Sequence, residues 1–247
     1  MIIHAAFFVC GDLEHPVGTG PALKISVVIP VINEAPLIGD AIQSVWAAGV
    51  DQVIVVDGGS IDQTRQIASQ QSCEWLESKP GRALQQNVGA AAADGDLILF
   101  LHVDTTLPGD AGSQLRNAVT GVRGYGGFRQ QIMNQRRIFR WIENGNARRI
   151  RRTGMVYGDQ GLFVTRTTWQ EHGPFPVEPL MEDYLLSKRL RTRLKPVLLP
   201  GPLLVNARRW EQYGALRQTV RNKLITLGYG LGVSPKRLAA CYRRHDH

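Results

Sequence analysis

Polar and acidic residues directly follow three apolar segments in the first half of the chain. The three groups are Pro30-Val31-Ile32-Asn33-Glu34, Asp57-Gly58-Gly59-Ser60 and His102-Val103-Asp104. Each group alone also fits a structural role, as a turn, a helix cap or the start of a loop. Carboxylates can instead bind a divalent cation, accept hydrogen bonds or remove a proton. Because ligands of open α/β sheets bind outside the carboxyl ends of the strands, the three groups together predict a polar binding site.

A fourth acidic group, Glu182-Asp183, begins a segment with helical spacing over residues 181–193. Two carboxylates in a first helical turn can simply complement the helix dipole. The apolar positions of the segment recur every four residues, at Leu186, Leu190 and Leu194. This stripe predicts that Asp183 lies at its edge, over a cleft, and that Glu182 points further inward. An inward carboxylate requires a charge partner such as an arginine.

Several common catalytic motifs are absent from the sequence. The Asp57-Gly58-Gly59-Ser60 turn lacks the G-x-G-x-x-G spacing of dinucleotide-binding proteins, and no phosphate-cradling G-x-x-x-x-G-K-[ST] loop occurs. No G-x-S-x-G elbow is present either, so hydride transfer, ATP hydrolysis and serine hydrolysis are disfavoured. The three cysteines have neither metal-ligand spacing nor the pattern of a disulfide framework. A reducing compartment, the cytoplasm, is the simpler expectation.

Apolar strands alternate with helical segments from residue 25 to residue 104. The predicted strands cover residues 25–29, 53–56, 74–76 and 96–102. The predicted helices cover residues 36–48, 60–71 and 83–93, with Ser60 as the N-cap of the second. Because the strands are continuously apolar, they are typical of a parallel sheet that is covered on both faces.

The regularity weakens after residue 104. Strands are predicted over residues 124–131, 161–166, 196–199 and 203–205. Helices are predicted over residues 108–119, 181–193, 215–227 and 235–242, the last two separated by the glycine-rich residues 228–232. The predicted fold class is therefore α/β, with a mainly parallel sheet flanked by helices and a C-terminal helical extension.

Composition and charge limit the possible partners. Of the 247 residues, 43% are hydrophobic and 20% are charged, which is typical of a globular protein and excludes a disordered or coiled-coil chain. The longest apolar runs near the start and in the middle of the chain, residues 5–10 and 97–101, are far shorter than the ~18–20 residues of a membrane-spanning helix. The net charge of +8 favours an anionic partner, which could be nucleic acid, an acidic membrane surface or a phosphorylated small molecule.

A basic segment over residues 136–152 holds seven arginines and one acid, Glu143, with apolar residues between them. It is consistent with an amphipathic helix over a substrate site or at an anionic bilayer, and equally with a solvated basic face. No recognised nucleic-acid module accompanies it, so no nucleic acid is expected. A weak, peripheral contact with the inner face of the cell membrane is the alternative to a purely cytoplasmic location.

Five ordered motifs give the chain a resemblance to a known family. They are VVIPVINE, VIVVDGGSIDQT, KPGRALQQNVGAA, GDLILFLHVDT and PLMEDYLLSKRL. Together they resemble the family-2 glycosyltransferases of the GT-A fold, a Rossmann-like nucleotide-diphospho-sugar transferase fold. The combination of LHVDT, GDQ, PLMED and RRWE is most similar to the short arsenosugar-type, or radical-SAM/selenodomain-associated, transferases. The glycines and prolines of residues 11–23 predict a loose leader over residues 1–23, the resemblance implies a GT-A domain over residues 24–210, and the helical pattern predicts an extension over residues 211–247.

The resemblance implies a nucleotide-diphosphate sugar as donor and Mg²⁺ or Mn²⁺ as cofactor. The metal ligand it implies is Asp104, the second carboxylate position of the family's D-x-D motif, whereas His102 departs from that motif and its role stays open. The implied nucleotide-sugar-binding residues are Pro30, Asn33, Glu34, Asp57, Gly58, Arg82, His102 and Asp104. Arginine suits contact with a base or phosphate because its guanidinium presents several donors in one plane.

The resemblance also implies how the sugar is transferred. Asp183 resembles the general base of an inverting single displacement, with Glu182 as its support. Asp159 and Gln160 are expected on the acceptor side, Trp210 against the acceptor and Arg209 beside the leaving diphosphate. The acceptor is expected to be a small molecule or a lipid hydroxyl. Two other interpretations remain open at this point: a sugar nucleotidyltransferase, and a non-enzymatic basic adaptor for anionic lipid or nucleic acid.

Overall fold

The computed structural model describes residues 23–241, without the side chains of residues 209, 213, 216 and 241. The predicted leader therefore lies almost entirely outside the described residues. The strands are β1 (Ile25–Val31), β2 (Gln52–Asp57), β3 (Glu74–Glu77), β4 (Leu97–Phe100), β5 (Thr105–Thr106), β6 (Tyr125–Ile132), β7 (Leu162–Thr165) and β8 (Val197–Val205). The helices are α1 (Ala35–Ala47), α2 (Thr64–Ala68), α3 (Arg82–Ala92), α4 (Ala111–Ala118), α5 (Arg137–Thr153), α6 (Arg166–His172), α7 (Glu182–Leu190), α8 (Arg208–Tyr213), α9 (Ala215–Gly230) and α10 (Pro235–Cys241).

The strands form one mixed sheet in the order β3-β2-β1-β4-β7-β6-β8-β5. The first four strands are parallel, as the sequence predicts. β7 then pairs antiparallel with β4 and β6, β8 runs parallel to β6, and β5 is antiparallel to β8. The sheet is therefore mainly parallel, and its direction reverses between the two halves of the chain. The α/β fold class and the helical C-terminal region are confirmed.

The first half is packed on both faces of the sheet. β4 is buried along its whole length, and α1 covers one face with Ile38, Ile42 and Val45. Helix α3 covers the other face at very close range. A Cβ on Gly89 would lie 2.3 Å from Val28 Cγ1, so only glycine permits this approach. Gln85 Nε2 then donates to the carbonyls of Val31 and Val56 and ties α3 to the strand ends.

Two sequence predictions about local structure are wrong. Ser60 does not cap a helix, because its hydroxyl donates to Asp57 Oδ1 at 2.5 Å, and α2 begins only at Thr64. The two short strands predicted over residues 196–199 and 203–205 are one strand, β8. The intervening Gly201, at φ +66°, lies where the pairing with β6 shifts register, so the apparent break is an irregularity within a continuous strand.

The C-terminal helices are close to their predicted positions. α9 continues through Gly228 to Gly230, whereas the sequence predicts an end at residue 227. Tyr229 and Ile225 of α9 pack with Leu238 of α10 against Leu180 and Met181, just before α7. This contact attaches the C-terminal region to the side of the sheet that carries the carboxylate pair. None of the helices in the described part of the chain is long and apolar enough to cross a membrane.

Candidate active site

Two adjoining cavities, each of about 190 Å³, lie at the carboxyl ends of the parallel strands. We name the first the strand cavity; it is lined by Pro30, Val31, Ile32, Glu34, Pro80, Gly81, Arg82, Gln85, His102, Val103 and Asp104. We name the second the helix cavity; it is lined by Arg82, His102, Asp104, Tyr157, Asp159, Leu180, Met181, Glu182, Asp183, Tyr184, Asn206, Trp210, Gln218, Asn222, Ile225 and Thr226. Three residues, Arg82, His102 and Asp104, belong to both linings and mark the junction.

Of the site residues predicted at the first two strand ends, some line the strand cavity and others hold the adjoining loop in place. Pro30 and Glu34 line the strand cavity. Asn33 adopts a left-handed φ of 53°, and its Oδ1 accepts from the backbone N–H of Ile61 at 2.9 Å. The carboxylate of Asp57 accepts from the N–H and the hydroxyl of Ser60. Asn33 and Asp57 therefore hold the loop in shape, and neither is among the described lining residues of either cavity.

Gly58 belongs to the same loop as Asp57. Its N–H donates to the carbonyl of Val31 at 2.9 Å. A Cβ at this position would lie 3.1 Å from the amide of Gln85, which itself lines the strand cavity. Gly58 thus leaves room for the glutamine that closes the cavity floor.

Asp104 links the two halves of the molecule at the cavity junction. Its backbone carbonyl accepts from the N–H of Asn206, at the end of β8, at 3.2 Å. No group of three or more potential metal-ligating side chains occurs in the described part of the chain. Mg²⁺ and Mn²⁺ bound with a phosphorylated substrate commonly use only one or two carboxylates and complete their shell with water and phosphate oxygens. A single carboxylate at the junction fits such an ion better than it fits a closed protein cage.

Arg82 and Glu182 form an ion pair between the two halves. Arg82 begins α3 directly after Gly81, whose φ is +141°. Its Nη1 lies 3.8 Å from Glu182 Oε1, and Glu182 is only 2% exposed. The sequence prediction that Glu182 points inward and needs an arginine is confirmed by this contact.

Asp183 lies beside Glu182 and lines the helix cavity. Its Oδ2 accepts from the N–H of Gly158 at 2.6 Å, and its Oδ1 accepts from the N–H of Tyr184 at 2.6 Å. Burial and the neighbouring Glu182 charge raise the pKa of Asp183 to about 6, although both hydrogen bonds act in the opposite direction. A carboxylate with this pKa is ionised at neutral pH and is basic enough to take up a proton.

A short 3₁₀ turn, Gly158–Gln160, presses against the junction. A Cβ on Gly158 would lie 2.5 Å from His102 Nε2, so the turn approaches the histidine more closely than any other residue type allows. The turn directs Asp159 into the lining of the helix cavity. Gln160 is fully buried, and its Oε1 accepts from Arg149 Nη2 and from the N–H of Tyr157. Gln160 is therefore a support of the turn and does not belong to the described lining.

Arg149 is the residue beneath this turn, and sequence reasoning did not single it out. It belongs to α5, the predicted basic helix, whose Arg148 and Trp141 are exposed as expected for a surface helix. Arg149 instead lies with its guanidinium 3.5 Å from the centre of the Tyr157 ring. Burial lowers the pKa of Arg149, and the nearby Tyr157, Asp159 and Asp183 oppose that change. The arginine therefore supplies positive charge behind the acidic wall of the helix cavity.

The far wall of the helix cavity comes from the C-terminal region. Trp210 lies in this wall and packs edge-on against Phe139, with ring centroids 6.1 Å apart. The side chain of Arg209 is outside the described residues. Sequence reasoning did not identify the contribution of α9, which supplies Gln218, Asn222, Ile225 and Thr226. The spacing of these positions by three and four residues is the signal of a helix face that was available in the sequence.

A parallel sheet with a polar cavity at its strand ends, joined to an antiparallel half that carries a carboxylate pair, is the architecture of the GT-A glycosyltransferases. The model of the family "Glycosyl transferase family 2" matches residues 26–169. The chain therefore belongs to glycosyl transferase family 2. A search of curated proteins finds no match.

Solved structures support the same fold. A mannosyltransferase from Pyrobaculum calidifontis, in complex with GDP-Man and Mn²⁺, superposes with a TM-score of 0.58 at 18% identity, covering 78% of this chain. The present chain spans 60% of the length of that protein. Glucosyl-3-phosphoglycerate synthase from Mycobacterium tuberculosis, in complex with Mn²⁺, UDP-glucose and phosphoglyceric acid, superposes with a TM-score of 0.57 at 20% identity. That match covers 86% of this chain and 81% of the synthase.

Proposed function

We propose that this protein is an inverting glycosyltransferase that moves a sugar from a nucleotide-diphosphate sugar to a hydroxyl acceptor. The observation that carries the proposal is the arrangement at the cavity junction. Asp104 and Arg82 border both cavities, and Asp183 borders the helix cavity with a raised pKa. A donor in the strand cavity would thereby present its sugar to an acceptor in the helix cavity.

The donor is assigned to the strand cavity. Pro30 and Glu34 border the space proposed for the nucleoside, with Asn33, Asp57 and Gly58 as the support of that loop. Arg82 at the junction is the cation best placed for the diphosphate. Arg209, which follows β8, is assigned to the leaving diphosphate on the resemblance alone. Structures of fold neighbours that contain GDP-Man or UDP-glucose support a nucleotide-sugar donor of this kind.

Asp104 is assigned as the ligand of Mg²⁺ or Mn²⁺, with His102 beside it. When bound there, such an ion supplies positive charge that stabilises the diphosphate as it leaves. The metal content of the two neighbour structures supports this assignment.

Asp183 is assigned as the general base. In the proposed reaction the acceptor hydroxyl gives its proton to the Asp183 carboxylate, and its oxygen forms a bond with the anomeric carbon. The bond from that carbon to the diphosphate oxygen breaks, and the diphosphate leaves with the electron pair. A single displacement of this kind inverts the anomeric configuration. Glu182, held by Arg82 at 3.8 Å, supports the base and keeps its pKa high.

The proposal also includes the acceptor and the cellular location of the enzyme. Trp210 and Asp159 are assigned to the acceptor side, which receives a small-molecule or lipid hydroxyl in the cytoplasm. The kinship with arsenosugar-type, or radical-SAM/selenodomain-associated, transferases is part of the proposal and rests on the sequence motifs alone.

A weak contact with an anionic membrane surface is proposed for α9 and α5. Four exposed apolar residues of α9 and the turn after it form one stripe: Val220, Leu224, Leu227 and Leu231. Trp141 of α5 is 84% exposed between arginines. Apolar and cationic side chains together favour an anionic bilayer, at about 1 kcal/mol per cation. Flotation with phosphatidylglycerol vesicles at low salt tests this, and absence of protein from the lipid fraction would assign it fully to the aqueous phase.

The reaction class is tested by a screen of nucleotide sugars with and without Mn²⁺. A donor that binds the native protein raises its melting temperature, and the shift is expected to require the metal. Product analysis then separates a transferase, which releases a nucleoside diphosphate, from a nucleotidyltransferase, which releases pyrophosphate. If no nucleotide sugar raises the melting temperature with or without Mn²⁺, the proposed function is wrong.

A further inference from the structure

We infer, on the basis of the proposed function, that the helix cavity selects a polyhydroxylated acceptor with an apolar portion and without negative charge, and rejects phosphorylated or carboxylated acceptors. The observation behind this inference is the chemistry of the lining beyond the reacting groups. The negative charge of the lining repels anionic acceptors. Asp159 supplies a group that can bind a hydroxyl, and the remaining wall is aromatic or neutral.

The charges of the lining are mostly negative. Among the described lining residues the one cation is Arg82, which already faces Glu182 at 3.8 Å. The lining carboxylates are Asp104, Asp159, Glu182 and Asp183. Like charges at short range raise the cost of a further anion, especially away from bulk water. Glu182 and Asp159 already raise the pKa of Asp183, so this repulsion acts within the cavity itself.

A divalent cation would not reverse this balance. An ion held by Asp104 would have the donor diphosphate as its counter-charge, if the donor occupies the strand cavity as proposed. Arg149 lies behind the Tyr157 ring, outside the cavity lining, and its positive charge already faces the carboxylates of Asp159 and Asp183. The acceptor end of the helix cavity therefore offers an anionic group little compensation for its lost hydration.

Asp159 offers a binding group for a hydroxyl. Its Oδ1 is buried, and among the described residues no group donates a hydrogen bond to it. Its position is fixed through the backbone, since its carbonyl accepts from Gln130 Nε2 at 2.8 Å. A carboxylate oxygen accepts hydrogen bonds and donates none, so it needs a donor, which a hydroxyl of the acceptor can supply. A second hydroxyl bound here would orient the reacting hydroxyl toward Asp183.

The opposite wall suits a ring with both polar and apolar faces. It combines the aromatic rings of Tyr157, Tyr184 and Trp210 with amide and hydroxyl groups of α9. Aromatic rings provide large contact areas for apolar faces, and their polar atoms can still form hydrogen bonds. Ile225 and Leu180 add purely apolar surface. A sugar-like or polyol head with an apolar extension satisfies all of these groups, whereas a phosphate satisfies few of them.

Matched acceptor pairs test the inference. The probes are p-nitrophenyl 6-O-methyl-β-glucoside with p-nitrophenyl β-glucoside 6-phosphate, and 3-O-methylglycerol with glycerol 3-phosphate, so that both members of a pair lack the same hydroxyl and differ in charge; each is supplied with the donor found in the thermal-shift screen and Mn²⁺. The expected result is at least a tenfold higher kcat/KM for a neutral member than for its phosphorylated partner. Equal or reversed preference, or turnover of neither neutral probe by a protein that binds its donor, would overturn the inference. Absence of donor binding instead contradicts the proposed function.

Two variants sharpen this test. Asn222→Lys adds a cation to the lining and is expected to raise the relative kcat/KM for the phosphorylated probes at least tenfold, and an unchanged ratio contradicts the charge argument. Asp159→Asn is expected to raise KM for the glucoside about tenfold, as expected for loss of a hydrogen bond to a charged group. The matched control is Asp94→Asn, an exposed carboxylate paired with Lys24 far from the cavities. Equal KM values in the two variants would remove Asp159 from the acceptor site.

Discussion

The two cavities are built in different ways, although they meet at the same three residues. The strand cavity is formed by the ends of the neighbouring parallel strands β1 and β4 and by the start of α3, and most of its lining comes from residues 30–34 and 80–85. The helix cavity draws on segments that are far apart in the chain, including the turn Gly158–Gln160, α7 and α9. A cavity of the first kind depends on the fold itself, whereas one of the second kind depends on particular side chains. The helix cavity is therefore where this chain is expected to differ most from other members of its family.

Among the tests that compare the two cavities, the largest loss of activity is expected at their junction. Asp104→Ala removes the carboxylate assigned to the divalent cation, and turnover should fall by ~10²–10³-fold or more, the scale for loss of one preorganised electrostatic contact. Mn²⁺ should then no longer increase the melting temperature of the protein with its donor. Circular dichroism should show an intact fold. Full activity of the variant in the presence of a chelator would contradict the assignment of a divalent cation to Asp104.

The turn beside Asp183 provides the next test, and it disturbs the helix cavity at its junction with the strand cavity. In Gly158→Ala the new Cβ would clash with His102 Nε2 at 2.5 Å, so the turn must shift. The N–H that holds Asp183 at 2.6 Å shifts with it. Misplacement of a reacting group by about 1 Å can cost ~10²-fold in rate, so kcat should fall by about this factor. Gly145→Ala, in open space on α5, is the control and should turn over normally.

Substitution of two adjacent arginines tests whether a buried arginine stabilises the site more than an exposed one does. Arg149→Met loses the hydrogen bond to Gln160 and the contact with Tyr157, and should lower the free energy of unfolding by about 1–3 kcal/mol. Arg148→Met alters an exposed residue of the same helix and should change it by about 0.5 kcal/mol or less. Urea denaturation measures both values. Equal effects would mean that Arg149 does not stabilise the wall of the helix cavity.

The smallest expected effect is a shift in pH dependence. Asp183 must be ionised to accept a proton. When the pH is lowered below the pKa of Asp183, which is about 6, kcat should therefore decrease and approach a tenfold loss per pH unit. Glu182→Gln removes a negative charge that raises this pKa, so the acid limb should move to lower pH. Asp159 and the N–H groups of Gly158 and Tyr184 still act on Asp183 in that variant. If the acid limb of the kcat profile of Glu182→Gln lies at the same pH as in the unmodified protein, the proposed coupling of the two carboxylates is contradicted.

The same contrast between the halves explains what could be predicted from the sequence. Continuous apolar strands such as β1 and β4 are recognisable because burial on both faces leaves an uninterrupted pattern. The role of Ser60 was not predictable from the capping pattern, because the same hydroxyl can bond to a helix or to Asp57. The Pro200-Gly201-Pro202 sequence in β8 looks like a break, although the strand continues through it.

For the long-range contacts of the helix cavity, the sequence predicted the type of partner but not which residue it is. The inward position of Glu182 required an arginine, but nothing local indicated Arg82, which is 100 residues away in sequence. Arg149 belongs to a run of similar arginines, and only the packing of α5 on the Tyr157 ring distinguishes it from Arg148. Residues 215–227 were predicted to be a helix, but the place of α9 in a cavity wall follows from its contacts with Leu180 and Met181, just before α7.

The role of Asp183 is the central claim, and Asp183→Asn tests it most directly because the change preserves size and removes the ability to take up a proton. Turnover and donor affinity are measured on the same preparation, with Asp94→Asn as the control. The account predicts a ~10²–10⁴-fold loss of turnover, the usual contribution of a positioned general base, with nearly unchanged donor affinity. Normal turnover in Asp183→Asn would contradict it, and if turnover collapses instead in Glu182→Gln, the roles of the two carboxylates are exchanged.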